Sequence, residues 1–164
     1  MSTPSIEAVI AYWTAHDVPY LPGVDENDVT AFETKYDVTL PQDVREFYLI
    51  TDGTHVPLCN GCDHDMYEFY RLSEIAPDAE FPWAMNFADF QMLSWWFAID
   101  LTGGGGRGPG AVYFMGAIGG RPLIVAHTFT EFLNLYVTTD ERLWPDNAKK
   151  YHESTGPRST RRLR

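Results

Sequence analysis

Cysteine is nearly absent from these 164 residues: Cys59 and Cys62 are the two. A small secreted scaffold stapled by disulfides needs more of them, so that class is set aside. Long apolar runs are missing as well. No stretch reaches the roughly eighteen apolar residues that span a bilayer, so no transmembrane helix is expected. Met1-Ser2-Thr3-Pro4 has neither the basic nor the apolar region of a signal peptide, which makes the cytoplasm the expected compartment. Positive charge is scarce, with 12 Lys and Arg against 23 Asp and Glu and a formal net charge of −11. The shortage is uneven. Residues 1–147 carry six basic residues against 22 acidic ones, giving −16, and residues 148–164 carry six against Glu153 alone, giving +5. Such a body repels nucleic acid and anionic membranes and attracts a basic protein. The same charge also serves solubility.

What the chain has in plenty is aromatic side chains, 15 % of it, within a hydrophobic content of 45 %. Rings of this kind bury enough area to build a core without cross-links, and the length suits one domain. Residues 1–147 are read as that domain and 148–164 as a basic, flexible tail.

The apolar spacing predicts helices at the front. Ile6, Val9, Ile10 and Trp13 form one stripe, with Pro4 at the first helical position after Thr3. Asp25-Glu26-Asn27-Asp28 suits a helix N-terminus, and Val29, Phe32 and Tyr36 give the second helix its apolar face. A third helix opens at Pro41, lined by Val44, Phe47 and Tyr48, and Asp52-Gly53 is read as its stop. Strands then follow. Met66–Leu72, 92–101, Ala111–Met115 and Leu123–Ala126 read as strands, the last two as antiparallel neighbours. Ser73 to Gln91, broken by Pro77 and Pro82, reads as irregular, and 103–110 as a flexible glycine-rich connection. Thr128-Phe129-Thr130-Glu131 fits a capping box that opens a final helix bearing Phe132, Leu133 and Tyr136. Helices, then strands, then a helix point to an α+β fold.

Few motifs carry chemistry. The glycine run 103–106 is followed by a strand instead of a helix and lacks a Lys-Ser or Lys-Thr step, so it does not read as a phosphate loop. Cys59-Asn60-Gly61-Cys62, flanked by His55 and His64, offers four soft metal ligands in ten residues. A structural zinc site usually draws its second pair from a distant segment, and none exists here. His16, His55, His64, His127 and His152 lie in no context that marks a catalytic base. No catalytic residue and no cofactor is expected. The better candidates are acidic and aromatic residues of the kind that rim protein interfaces: Asp63, Asp65, Glu68, Asp78, Glu80, Trp83 and Asp89.

The run Val24–Glu33, followed by Leu40-Pro41-Gln42-Asp43-Val44-Arg45-Glu46-Phe47-Tyr48 and Asp52-Gly53, resembles the N-terminal signature of the SUKH superfamily. Pro122–Ala126 with Thr128–Leu133 is similar to that group's closing strand and helix. The similarity spans residues 6–137. It implies helices packed on a mainly antiparallel sheet, with no catalytic site to carry over. It also implies a role. Bacterial members are mostly immunity proteins that neutralise toxin domains, often nucleases, whereas fungal members regulate cell-wall glucan synthesis and act as scaffolds. The expected function is thus a protein-binding domain acting on a basic toxin domain. A glucan-synthesis regulator and a metal or thiol enzyme built on 55–64 are the alternatives.

Overall fold

The computed structural model describes residues 4–54, 66–90, 94–116 and 120–156. Helix α1 (Pro4–Ala15) buries Ile6, Val9 and Trp13 as its spacing requires. Strand β1 (Tyr20–Pro22) leads into α2 (Glu26–Tyr36). Asp25 caps α2 by accepting the N–H groups of Asn27 and Asp28, and Asp28 returns a bond from the Asp25 N–H. Helix α3 (Gln42–Ile50) starts at Pro41 and buries Val44, Phe47 and Tyr48.

Asp52-Gly53 does not end α3 as a glycine stop. Both residues lie in strand β2 (Thr51–Thr54), which pairs antiparallel with β1. Gly53 has a φ of +82°, and a Cβ there would stand 2.5 Å from the Phe69 carbonyl oxygen. The glycine therefore serves a close approach of two backbones.

The main sheet has six strands in the order β3-β5-β6-β7-β8, with β4 also paired to β5. Its members are β3 (Tyr67–Phe69), β4 (Ala76–Pro77), β5 (Ala84–Phe90), β6 (Trp95–Asp100), β7 (Val112–Met115) and β8 (Leu123–Ala126). All pairings are antiparallel. Two expectations are corrected here. The Met66–Leu72 strand is shorter, because Leu72–Glu74 turns as a 3₁₀ helix. The segment 73–91 is not irregular, since β5 lies inside the sheet between β3 and β6. Its Pro77 and Pro82 fall outside β5, and a bulge between Asn86 and Ala88 breaks the alternation that would have revealed it.

Helix α4 (Phe129–Val137) packs against α1, and with α3 these helices cover one face of the sheet. Phe69 sits at the centre, with Trp13, Phe47, Phe87, Phe132 and Tyr136 rings around it. The Thr128 hydroxyl accepts the Glu131 N–H as expected, but Glu131 returns its bond to the His127 N–H. The opposite face carries Ala98, Tyr113, Met115 and Ile124, covered by Phe81, Trp83, Trp96 and Tyr151.

The basic C-terminal stretch begins within a helix. Residues 148–155 belong to α5 (Pro145–Thr155), which lies on β8 with Ala148 fully buried. The physical reason is an edge: β8 ends the sheet, and α5 covers it. Residues 157–164 fall outside the described residues.

The glycine-rich connection is built around Asp100, whose side chain is fully buried. Its carboxylate accepts the N–H groups of Thr102, Gly103 and Gly105 at 2.7–3.0 Å. Trp83 packs so closely that a Cβ on Gly104 would stand 2.6 Å from its own Cβ. The loop's N–H groups thus hold an anion that the chain itself supplies.

Candidate protein-binding surface

Strand alternation sends Tyr67 and Phe69 into the core and turns Glu68 to the opposite face of the sheet. There its register partner is Asp89 on β5, which in turn lies opposite Trp96. Asp89 is 3 % exposed and accepts the Tyr70 hydroxyl at 2.7 Å. Burial, reinforced by the charges of Asp89 and Glu74, pushes the Glu68 carboxyl up to about 7. Tyr70 is held above the ordinary phenol range by burial first, then by its bond to Asp89 and the surrounding carboxylates.

A second group of carboxylates shares the same field. Asp52 accepts the Leu72 N–H at 2.8 Å, and its other oxygen lies 4.0 Å from Arg71 Nε. Burial raises Asp52 despite that bond and the guanidinium, and Glu74 and Asp28 push the same way. Tyr48, which donates its hydroxyl to the Tyr70 carbonyl, is likewise raised by burial, then by Asp52 and Glu74. Asp28, Asp52, Glu68, Glu74 and Asp89 therefore form one electrostatically connected ledge from α2 to β5. Beside it, between α2 and the Leu72–Glu74 turn, runs a groove of about 360 Å³. Phe32, Tyr36, Leu72 and Ile75 supply its apolar wall and Asp28, Lys35 and Asp52 its charge.

The structure joins Glu68 and Asp89, two of the residues singled out from sequence. It gives Asp78 and Trp83 work inside the fold. Asp78, 9 % exposed, accepts the N–H groups of Glu80 and Phe81 and bonds from Asn86 and Trp96. Burial would raise its carboxyl, but those four donors hold it below the usual range. Trp83 stands edge-on to Tyr113 at 4.9 Å and braces the glycine loop. Glu80 is exposed. Asp63 and Asp65 lie outside the described residues, as do His55, Cys59, Cys62 and His64.

Asp28, Asp52 and Glu74 carry no functional signal in the sequence. Asp28 and Asp52 read as helix punctuation, and Glu74 sat in a segment without periodicity. Their common field arises from chain positions 28 to 89 meeting in space.

Among the described residues, no group of three or more His, Cys, Asp or Glu is placed to hold a metal ion. His152 accepts the Ile124 N–H at 3.1 Å, and His16 bonds the Tyr12 carbonyl. Among the described residues, no helix is long and apolar enough to cross a membrane.

The model of the SMI1 / KNR4 family (SUKH-1) matches residues 23–135, a span that holds both the ledge and the groove. No curated protein matches the chain.

Proposed function

Because the chain belongs to the SMI1 / KNR4 family (SUKH-1), we propose that it is a non-catalytic protein-binding domain, an immunity protein that neutralises a basic toxin domain. The observation that carries this reading is the acidic ledge. Burial first, then crowding by Asp89 and Glu74, pushes the Glu68 carboxyl up to about 7, so its ionised form costs the free protein stability. A cationic partner relieves that crowding, so binding gains what folding gave up. The field extends beyond the ledge, since the whole chain carries −11. Such a field speeds the encounter with a basic surface and repels the nucleic acid that a nuclease toxin would otherwise hold.

The test is to express the product of any toxin-like reading frame beside this gene and measure binding. Affinity should fall by roughly tenfold or more between about 50 and 300 mM salt. Replacing the half-buried Glu68 and the exposed Glu74 and Glu80 together by Gln should slow association without changing the fold. A neighbour-encoded toxin that is neither bound nor inhibited ends the immunity reading. Binding indifferent to salt and to the triple change ends its electrostatic part.

A further inference from the structure

The groove beside the ledge has a chemistry of its own. One side is apolar, from Phe32, Leu72 and Ile75, and Asp28 and Asp52 bring negative charge to it. Asp52 is incompletely served. One oxygen takes the Leu72 N–H, while Arg71, the cation nearest the other, stays at 4.0 Å, beyond hydrogen-bond reach. Lys35 does not fill the space, because its ammonium sits 4.9 Å over the Tyr36 ring. The groove is thus a half-buried carboxylate at the end of an apolar trough, with Arg71 in ion-pair range but not hydrogen-bonded to it and Lys35 turned to Tyr36.

We propose that this groove seats one Lys or Arg side chain of the protein partner, its aliphatic stem on Phe32, Leu72 and Ile75 and its cationic head on Asp52 and Asp28. The inference rests on the protein-binding reading and names the chemistry that the partner must present. Long basic side chains are suited to such a site because their stems cover apolar surface while the head meets a carboxylate. Arginine is the better of the two, since its planar fork can take a free carboxylate oxygen at hydrogen-bond distance. An acidic side chain is repelled by both carboxylates, and a purely apolar one desolvates the second Asp52 oxygen without giving it a hydrogen bond. A volume of about 360 Å³ fits one long side chain. It stands at the lower end of small-ligand sites, roughly 300–1,000 Å³.

The probe is an N-acetyl-Gly-Arg-Gly-amide tripeptide titrated into the ¹⁵N-labelled full chain, with the citrulline tripeptide as the uncharged control. Saturable shifts are expected at the Ala31, Leu72 and Ser73 amides with arginine and none with citrulline. Asp52→Asn keeps a carbonyl for the Leu72 N–H and should weaken binding about tenfold or more. Ala31→Phe, on the exposed side of α2, should block the groove without removing a carboxylate. It decides the matter if Asp52→Asn fails to fold. An arginine tripeptide that moves no groove amide, or that binds the folded variants as well as the wild type, overturns the proposal. A protein partner bound equally by wild type and both variants also overturns it, and leaves the protein-binding reading intact. Groove binding in a protein that protects against no toxin supports the seat while ending the immunity reading.

Discussion

Glu68 and Asp78 are carboxylates on the same sheet face with opposite responses to pH. The Glu68 pKa is raised from 4.5 to about 7, chiefly by burial. Between those values the folded state holds a proton that the unfolded chain has released, so this group's contribution to stability falls as pH rises through the window. Glu68→Gln should therefore raise Tm at about pH 8 and have little effect at about pH 4, as read by thermal melts across pH. Asp78 is held below its ordinary value, so its contribution is present above about pH 4 and is lost as pH falls further. Asp78→Ala strands the Trp96 and Asn86 donors and two backbone N–H groups, and should cost about 2–4 kcal/mol in urea unfolding at neutral pH. A cost below about 0.5 kcal/mol would show that water replaces the carboxylate without loss.

Helix α5 is an element held by few polar bonds. His152 accepts the Ile124 N–H and thereby occupies a donor on the outer edge of β8. An accepting Nδ1 requires the neutral imidazole. Burial, then the charges of Arg107 and Arg121, lower the His152 pKa from 6.5, while Glu153 opposes them. A lowered histidine favours the fold above its unfolded pKa, and that contribution is lost as pH falls below 6.5 through the folded value. Exchange of the Ile124 amide, corrected for intrinsic rate, should therefore accelerate at about pH 5 relative to pH 7. His152→Gln retains an acceptor without titrating and should flatten that dependence. If the acceleration persists in the variant, the edge is opened by another group. Arg107 also bonds the Thr155 carbonyl, tying the glycine loop to the end of the same helix.

At the scale of the whole molecule, excess negative charge opposes compaction. The described ion pairs are few: Arg45 with Glu26 and Glu33, Arg71 with Asp52, and Arg142 with Glu131. Moderate salt should consequently stabilise the free protein. Tm is expected to rise between about 10 and 150 mM NaCl, where screening shortens from roughly 30 to 8 Å. A flat or falling Tm would mean that the ledge's crowding is compensated locally. The same salt should weaken partner binding, so stability and affinity are expected to move in opposite directions along one titration.

The helices were legible because they are amphipathic over several turns, and α2 and α4 carry their own side-chain N-caps. Ile6, Val9 and Trp13, Val29 and Phe32, and Phe129, Phe132 and Leu133 all point inward where their spacing put them. The α+β class, family membership and acidic character also follow from local patterns and composition. Strand β5 did not show, since its alternation is broken by a bulge and a strand inside a sheet can be apolar on both faces. Nor did α5, whose few apolar residues gain meaning from the edge they cover. The order of the glycine run comes from Asp100, whose carboxylate takes its N–H groups, a contact that the sequence does not display. The acidic ledge is the clearest case. Coulomb interaction depends on distance through space, and periodicity along the chain does not record which carboxylates will be neighbours. Asp28, Asp52, Glu68, Glu74 and Asp89 became one field when the tertiary fold laid α2, β2, β3 and β5 side by side.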